Sequence, residues 1–535
     1  MLPLLERHSL PLALCLIAIA AVRIVSTYTA FADVGDEPAH LGCGLEYLAE
    51  HVYRLETQHP PLARAMAALG PYLDGARPIG EPNQEWEGDA ILCHSGHPER
   101  TLFLARLGIL PFFLLACLVV YFWARHHFGN SAAVLATGLF TLLPPVLAHA
   151  GLATTDMALA ACLGAAFFSL VLWAEKPTLP RTLLLGASTA LAALSKFTAL
   201  GFLPAGAALA FAAYLAVERP GLNKLGALAR QRAIPFGLAV TAGALLIWAG
   251  YWFSFGPVPG WNLRLPAPEL FDGIRNAMRH NATGHTAYLL GQVSKTGWWY
   301  FFPVALAVKT PIAFLLLLAW GAYLGWKRRR EVAYLLPVAF SLGILLPAMT
   351  SHVNIGVRHV LPIYIGFSIM AGWAGAFACQ PPRKPAGIVL VLMLLWLAIT
   401  GAIRHPDYLA YFNELVGSRP EKVLVDSDLD WRQDTKRLAE RLKELGASEV
   451  SFGQFIWKVQ CLDVWPGLPH PRVINPLVPV EGWTAVSPTL AKTTQYGMDY
   501  RYPNLQPWFE YIQPVERVGS LLLYYVPPGT LRQAR

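Results

Sequence analysis

The stretch SLPLALCLIAIAAVRIVSTYTAFADVGDEPAH, residues 9–40, places a pair of adjacent carboxylates directly after a long apolar run. Residues from about 9 to 30 are long and apolar enough to cross a bilayer as a helix. Asp36 and Glu37 follow this run, and charged groups at the mouth of a membrane span are costly unless they face water or a cationic partner. We therefore predict that the rest of the chain is a membrane scaffold that holds this acidic pair.

Two short helices are predicted after the acidic pair. Pro38 suits the first turn of a helix that has Asp36 or Glu37 at its cap, and apolar residues then recur at helical spacing over residues 41–52. A second segment with proline at its start repeats the arrangement after His59. Both segments are amphipathic, which favours helices that lie on the membrane surface and hold the two acids and His59 just above the bilayer.

The composition indicates a polytopic membrane protein. Of the 535 residues, 55% are hydrophobic and 14% are charged, whereas a soluble domain carries roughly 25% charged residues. The formal net charge is +8, but the basic residues gather in short loops between apolar segments, where they set membrane topology. Nucleic-acid binding is therefore not indicated.

Eleven apolar segments are predicted to span the membrane. They cover residues 9–30, 102–123, 132–149, 157–174, 182–195, 198–217, 233–253, 301–325, 332–350, 359–378 and 386–403. Alternation of the intervening loops places most Lys and Arg residues on one side, which the positive-inside rule makes cytoplasmic. The two large loops, residues 31–100 and 254–300, then lie outside the cytoplasm, as does the tail, residues 404–535.

The first apolar segment has a second interpretation as a cleaved signal peptide. The residues Ala30-Phe31-Ala32 have the small side chains of a signal-peptidase site. Cleavage would leave the acidic pair at a free N-terminus, and Arg23 interrupts the apolar run. We therefore favour an uncleaved span.

The chain divides into two predicted domains. Residues 1–403 form an all-α membrane domain of about 11 transmembrane helices. The tail, residues 404–535, has a different pattern, which predicts a small extracytoplasmic α/β domain. Its predicted elements are strands at Lys422–Val425, Glu449–Phe452 and Ser520–Val526 and an amphipathic helix at Asp434–Leu445.

The acidic pair is the first candidate for chemistry. Asp36 and Glu37 could be a general base, a metal ligand or a plain helix cap. Two acids side by side at a membrane surface, near His59-Pro60-Pro61, favour chemistry. A carboxylate in that place could accept the proton of a hydroxyl group as it attacks a substrate.

Several motifs resemble one enzyme family. Gly35-Asp36-Glu37 with His40, followed by His59-Pro60-Pro61-Leu62-Ala63-Arg64, resembles the first external loop of the protein O-mannosyltransferases, glycosyltransferase family 39 of the GT-C superfamily. The resemblance continues in four further segments of bacterial type: Gly284–Gly291, Gly297–Pro303 with Lys309-Thr310-Pro311, Gly356–Pro362 and Tyr411–Glu414. The tail contains Asp426–Asp434, DSDLDWRQD, where bacterial relatives usually have Gly after the Trp. Arg432 stands there instead, so the chain departs from the family pattern at a position where glycine would allow a tight backbone turn.

The resemblance implies a reaction and a set of site residues. A sugar would move with inversion from a polyprenyl-phosphate donor to an acceptor hydroxyl on a protein, lipid or glycan, at the outer face of the plasma (inner) membrane. Asp36 would be the general base, and Glu37 would orient the acceptor or share that role. Cations near the interface would stabilise the leaving phosphate. The substrate-binding candidates are His40, His59, Arg64, Asp156, Lys196, Lys309, Arg358 and His359.

Some of these residues have second interpretations. Lys196 and Lys309 could snorkel from the ends of spans, and Asp156 could cap its helix or pair with one of the cations. The related aminoarabinose transferases of lipid A have Glu-Lys where this chain has Gln58-His59. That activity and its metal ligation are therefore not implied; no metal ligands and no cofactor are assigned, and a divalent cation stays open.

Three weaker signals concern metals and disulfides. Cys43 and Cys93 both fall in the first external loop and could pair. His94 and His97 have only loose metal spacing and lack a clear third ligand. The spaced acids that begin at Asp426 resemble the start of a calcium loop, but a tryptophan stands where that loop needs glycine.

Two other function classes remain as alternatives. A secondary transporter or lipid-linked sugar flippase would carry its charged groups near the midplane, often in paired repeats; here the charges cluster at one interface and the sequence shows no repeat. A catalytically inactive assembly subunit is the other alternative. The intact pair of Asp36 and Glu37 argues against it.

Overall fold

The computed structural model describes residues 2–381, 383–453, 462–474, 478–493 and 508–531. Helices dominate this part of the chain. The α-helices are α1 (Leu2–Arg7), α2 (Ser9–Val25), α3 (Glu37–Glu50), α4 (Pro61–Leu73), α5 (Gln84–His94), α6 (Pro98–Leu107), α7 (Leu110–Phe128), α8 (Asn130–Leu142), α9 (Pro144–Ala150), α10 (Asp156–Glu175), α11 (Leu179–Ser195), α12 (Ala199–Glu218), α13 (Leu222–Gly250), α14 (Pro268–Thr283), α15 (Phe301–Lys309), α16 (Ile312–Lys327), α17 (Val332–Ala348), α18 (Ile363–Ala378), α19 (Lys384–Ile403) and α20 (Thr435–Glu444).

Short strands form two hairpins and one larger sheet. The strands are β1 (Phe255–Pro257), β2 (Arg264–Pro266), β3 (Ala287–Leu289), β4 (Gln292–Ser294), β5 (Val450–Gly453), β6 (Pro471–Val473), β7 (Gly482–Val486), β8 (Glu516–Val518) and β9 (Leu521–Val526). Antiparallel pairs β1–β2 and β3–β4 lie in the loop of residues 254–300. Three-residue to four-residue 3₁₀ turns occur at Val357–Val360, Pro420–Lys422, Asp426–Asp428 and Trp508–Glu510.

The apolar helices are those of a multi-pass membrane protein. Among the described residues, five helices are long and apolar enough to cross a bilayer: α6 continued by α7, then α10, α12, α13 and α19. The bent pairs α8–α9 and α15–α16, with breaks of 68° and 118°, bring the number to seven, and the shorter apolar helices are α2, α11, α17 and α18. Every predicted span coincides with one of these helices or bent pairs. The count of eleven crossings stays a prediction.

The core lies where α7, α8, α10 and α18 pack together. At its centre, Trp123 of α7 is fully buried and stacks on Phe167 and Phe168 of α10 at ring distances of 5.3 and 5.9 Å. Helices α12, α13 and α19 instead leave most of their apolar surface exposed. An exposed apolar surface of this size is unfavourable in water, and a lipid bilayer would cover it.

The first loop, residues 31–100, folds into a helical layer. Helices α3 and α4 confirm the two predicted short helices, whereas α5 was not predicted. Glycines let these helices approach closely: a methyl group on Gly44 would overlap the backbone of Arg64, and one on Gly88 would overlap Pro38. Asp36 occupies the cap position of α3, but its side chain makes no capping hydrogen bond. Its carboxylate is therefore available for other contacts.

The tail forms a five-stranded mixed sheet in the order β6-β5-β7-β9-β8, where β5 is parallel to β6 and β7 and the remaining pairs are antiparallel. Helix α20 and strands β5 and β9 agree with the prediction. The predicted strand at Lys422–Val425 is wrong, because Val423 and Leu424 follow a 3₁₀ turn and pack into the core of the membrane helices. The division into domains at residue 404 stays a prediction.

The cysteines correct one expectation. Cys43 is a buried free thiol in a cluster with Tyr53 and Tyr251, whereas Cys93 is disulfide-bonded. A Cys43–Cys93 disulfide, which the sequence left open, is therefore absent. Cys461 lies outside the described residues.

Candidate active site

Asp36 and Arg358 meet at the centre of the site, although they are 322 positions apart in the chain. Arg358 lies in the 3₁₀ turn between α17 and α18, and its Nη1 donates to Asp36 Oδ2 at 2.7 Å. The Asp36 side chain is 35% exposed, so the carboxylate also faces open space. Burial raises the pKa of Asp36, but the charge and the hydrogen bond of Arg358 hold that pKa below its usual range. Asp36 is therefore ionised at neutral pH and able to accept a proton.

The tail holds Arg358 in place. Ser427 Oγ accepts a hydrogen bond from Arg358 Nε at 3.1 Å, and the centre of the Trp431 ring lies 4.1 Å from the guanidinium carbon. Gly35 allows this packing, since a methyl group there would lie 2.9 Å from Trp431 Nε1. The Gly35 N–H also donates to the Trp431 carbonyl at 3.1 Å. Residues from the first loop and the tail thus sandwich the guanidinium.

A second ion pair lies beside the first. Asp156 begins α10, is fully buried, and its Oδ1 accepts from Lys196 Nζ at 2.6 Å. Its Oδ2 lies 3.6 Å from Arg358 Nη1. Of the two interpretations that the sequence allowed for Asp156, the structure shows the ion pair. Asp36, Arg358, Asp156 and Lys196 form a row of alternating charges.

Unpaired polar atoms surround this row. His59 Nδ1, His149 Nδ1 and His359 Nε2 are buried and have no hydrogen-bond partner among the described residues. Burial and the nearby cations hold the pKa values of His59 and His359 well below the usual range, so these rings are neutral. An unpaired buried polar group costs about 1–3 kcal/mol. Such groups gathered around two cations indicate a place for a polar ligand.

Glu37 has a different environment from its neighbour Asp36. It is 1% exposed, and Arg106 donates to both of its oxygens at 2.8 Å. The backbone N–H groups of Val34 and Ala153 donate to the same carboxylate at 2.9 and 2.8 Å. These contacts tie the start of α3 to α6 through Arg106 and to the segment before α10 through Ala153, so both oxygens of Glu37 are occupied by the scaffold.

His40 and Arg64 form a buried network beside His59. Arg64 Nε donates to His40 Nδ1 at 3.0 Å, and the Arg64 guanidinium also binds Tyr53 and Glu56. Burial lowers the pKa of His40 to about 3. Because Nδ1 accepts, the proton of this neutral ring is on Nε2. The His40 ring in turn packs edge-on against His59 at 5.4 Å.

Lys309 contacts the tail rather than the row of charges. It is 2% exposed and its Nζ donates to the carbonyl oxygens of Leu409 at 2.8 Å and Asp428 at 2.5 Å. The ammonium group also lies 4.3 Å from the ring centre of Phe412. The structure therefore places Asp36, His59, Asp156, Lys196, Arg358 and His359 together and leaves Glu37, Arg64 and Lys309 as links in the scaffold.

Arg432, the departure from the family pattern, keeps the turn that glycine would make. Its φ is +80°, in the left-handed region that side chains with a Cβ avoid. The guanidinium pairs with Asp33 and with Asp89, the latter at 3.1 Å. These buried contacts hold the strained residue and connect the tail to the first loop.

Three residues of the site were missed from the sequence. His149 lies on α9 within a predicted span, where a polar side chain is a signal of function. Ser427 and Trp431 lie inside the DSDLDWRQD motif, but nothing in the sequence pairs them with an arginine about 70 residues earlier.

Among the described residues, one group of ligand-type side chains converges enough to hold a metal ion. It consists of His126, His127 and Glu175, whose ligand atoms lie within 4.8 Å of one another. This group lies at the other ends of α7 and α10, away from Asp36. His94 hydrogen-bonds to the carbonyl oxygen of Ala90, and the described part of the chain brings no group of three ligands together around His94 and His97.

The chain resembles known glycosyltransferases in sequence and fold. Residues 100–252 match the family described as dolichyl-phosphate-mannose-protein mannosyltransferase. The structure is similar to ArnT from Cupriavidus metallidurans bound to undecaprenyl phosphate, with a TM-score of 0.51 and 15% identity over 95% of this chain and 97% of that chain. An oligosaccharyltransferase from Archaeoglobus fulgidus tethered with an acceptor peptide has a TM-score of 0.45 and 13% identity over 87% and 64%. No curated protein matches the sequence. The family match and the ArnT-like fold confirm the predicted resemblance to the GT-C superfamily.

Proposed function

We propose that this chain is a GT-C membrane glycosyltransferase that moves a sugar from a polyprenyl-phosphate donor to an acceptor hydroxyl with inversion at the anomeric carbon. The observation that carries the proposal is the Asp36–Arg358 pair, with Lys196 and unpaired histidines beside it. This arrangement places a partly exposed base, Asp36, beside cations and histidines that can bind a phosphate. The similar ArnT structure contains undecaprenyl phosphate, which supports a lipid-phosphate donor.

The cations suit the leaving group. When the bond between the anomeric carbon and the phosphate oxygen breaks, its electron pair stays on that oxygen, and the phosphate gains negative charge. Arg358 and Lys196 are buried, and they lie where they can compensate this charge away from bulk water, where such stabilisation is strong. His59 and His359 can donate hydrogen bonds from ring nitrogens as neutral imidazoles.

The base role falls to Asp36. The acceptor oxygen forms its bond to the anomeric carbon from the face opposite the phosphate, and its proton passes to a carboxylate. Asp36 is ionised and partly exposed, and it lies 2.7 Å from the cation that we assign to the phosphate. An in-line displacement places the base and the leaving group on opposite faces of the sugar, so the donor sugar would lie between Asp36 and the phosphate held by Arg358 and Lys196.

The remaining predicted residues have positioning roles in this proposal. Glu37 fixes the first loop through Arg106, and Arg64 fixes His40 and through it His59. Lys309 anchors the tail. The active site would face the outside of the plasma membrane, and the acceptor can be a protein, lipid or glycan.

Transport is less well supported than transfer. A transporter needs its binding groups near the membrane midplane. Here the charged row lies at the ends of α10, α11 and α17, next to the helical layer of the first loop. This position suits chemistry at a membrane interface.

The first test is sugar release from radiolabelled undecaprenyl-phosphate hexoses and pentoses by purified protein, with cell-extract acceptors added. We expect Asp36→Asn to reduce turnover by about 10²–10⁴-fold, the contribution of a general base, in protein that a thermal unfolding scan shows to be folded. The control is Asp407→Asn, which removes a half-exposed carboxylate that pairs with Arg437 away from the site. Equal turnover in wild type and Asp36→Asn would remove Asp36 from the mechanism. Failure of wild type to consume any donor would favour transport or an inactive subunit.

A further inference from the structure

We propose that the aromatic hairpin, residues 252–266, inserts into the bilayer leaflet on the side of the first loop and anchors the second large loop to lipid. The hairpin begins directly after α13, contains β1 and β2, and leads into α14. Its partner is the boundary between lipid headgroups and acyl chains. This lipid contact is independent of the proposed reaction.

The hairpin exposes a group of large apolar side chains close together in the chain. Trp252, Phe253, Phe255, Trp261 and Leu263 are each between 44% and 59% exposed. Residues 251–263 contain no Asp, Glu, Lys or Arg. A group of exposed apolar side chains without charges among them is unfavourable in water, and tryptophan is enriched where proteins cross the membrane interface. The composition of the hairpin therefore fits a lipid surface.

The length of α13 sets the depth of the hairpin. Arg232 is the last charged residue of this helix, and the following 31 residues, 233–263, contain none. A hydrocarbon core roughly 30 Å thick takes about 20 residues at 1.5 Å each, so a span that starts after Arg232 reaches the far boundary at about residue 252. Because α13 leaves most of its apolar surface exposed, this surface continues directly into the exposed side chains of the hairpin.

Contacts with α13 and α3 hold the hairpin at that depth. Trp248 Nε1, in the last turn of α13, donates to the Ser254 carbonyl at 2.8 Å, and the Phe253 N–H donates to the Trp248 carbonyl at 3.0 Å. The Trp252 ring packs on His51, directly after α3, at a ring distance of 4.3 Å. The hairpin therefore keeps its position relative to the end of the span.

The hairpin is also connected to the candidate active site. Ser254 Oγ donates to Glu269 Oε2 of α14 at 2.6 Å. Asp272, in the next turn of α14, accepts from Thr57 Oγ1 at 2.8 Å, and Thr57 lies two residues before His59. On the basis of the proposed function, a lipid anchor at the hairpin holds this part of the site next to the leaflet from which a polyprenyl-phosphate donor arrives.

The first test measures lipid contact in the full-length protein in phospholipid nanodiscs, and it needs no donor. The background carries Cys15→Ser and Cys379→Ser, which remove the free thiols that are not buried, and a nitroxide is attached at Trp261→Cys. The lipid control is Val240→Cys, 54% exposed on α13, and the water control is Lys443→Cys, exposed on α20. Background protein without an added cysteine gives the signal to subtract.

The measured quantities are the collision rates of each nitroxide with oxygen, which concentrates in the bilayer, and with a water-soluble nickel chelate. We expect the ratio of oxygen to nickel collisions at Trp261→Cys to be severalfold above that at Lys443→Cys and close to that at Val240→Cys. A ratio equal to that of Lys443→Cys would place the hairpin in water and overturn the proposal. Low collision rates with both reagents would overturn it as well, since a protein partner or a second copy would then cover the hairpin.

The second test separates the anchor from the proposed function. It compares wild type with the double variant Phe255→Ser and Trp261→Ser on radiolabelled undecaprenyl-phosphate sugars in nanodiscs and in detergent micelles. We expect a severalfold higher KM and an unchanged kcat for the variant in nanodiscs, and wild-type values of both in micelles, which have no bilayer surface. An unchanged KM in nanodiscs would overturn the role in donor approach. If the nitroxide shows lipid contact but wild type consumes no donor, the proposed function has failed and the anchor stands.

Discussion

Two neighbouring acids in this chain have opposite environments. Asp36 is partly exposed beside Arg358, whereas Glu37 is buried and accepts four hydrogen bonds from Arg106, Val34 and Ala153. A one-residue step along the start of a helix rotates the side chain by about 100°, which separates a group that can react from one that holds the fold.

At the residue scale, Glu37→Gln is expected to lower stability rather than catalytic rate. Loss of the Glu37 carboxylate leaves the buried Arg106 charge without its ion-pair partner, and breaking such a pair lowers the free energy of unfolding by about 3–5 kcal/mol. We predict a lower thermal unfolding midpoint for Glu37→Gln and a near wild-type kcat for the protein that remains folded. A normal midpoint with a lost kcat would assign Glu37 to the chemistry.

At the scale of elements, the tail segment of residues 426–434 and the first loop hold one another. Ala32 and Gly35 donate backbone hydrogen bonds to the carbonyls of Gln433 and Trp431 at 3.0 and 3.1 Å. Arg432 adds buried ion pairs to the same junction. At this junction, the first loop and the tail segment each supply hydrogen-bond and ion-pair partners that the other lacks.

The strain at Arg432 gives a prediction at this scale. Arg432→Gly and Arg432→Ala both lose the ion pairs with Asp33 and Asp89, so both should be less stable than wild type. Glycine fits a φ of +80° without strain, while alanine pays about 1 kcal/mol. We therefore expect a higher thermal unfolding midpoint for the glycine variant than for the alanine variant. The reverse order would mean that the turn relaxes when arginine is removed.

At the scale of the whole molecule, the distribution of basic residues predicts the membrane orientation. The turn of Arg328, Arg329 and Arg330 after α16 is exposed and lies at the end of the helix opposite Pro311. Ser418 is exposed near the start of the tail. By the positive-inside rule, we predict that the arginines lie in the cytoplasm and the tail outside it.

Thiol labelling checks this orientation. In a background with Cys379→Ser, an impermeant maleimide should label Ser418→Cys in intact cells, and Arg329→Cys only after lysis. The Cys379→Ser protein without an added cysteine is the control for labelling of the native thiols that remain. Labelling in the opposite order would place Asp36 on the cytoplasmic side and contradict the proposed reaction.

Hydropathy and charge were sufficient to predict the apolar helices, because each helix makes its backbone hydrogen bonds within its own segment and needs no distant partner. The strand proposed at 422–425 failed for the opposite reason: Val423 accepts from Leu290 N–H and packs on membrane helices, so its apolar character reflects burial against a distant segment. The pairing of Asp36 with Arg358 likewise depends on tertiary structure. The family motifs marked both residues without showing that they touch.

The position of Arg358 between Asp36 of the first loop and Trp431 of the tail also has a consequence for the order of events during synthesis. A ribosome makes the first loop and the helices before it makes the tail, and the early parts fold first. Until Trp431 has emerged and docked, one face of the arginine lacks its aromatic partner and the partner of Gly35 is missing. We therefore predict that the site proposed here is incomplete while the chain is being made, and that it is assembled only when the tail docks.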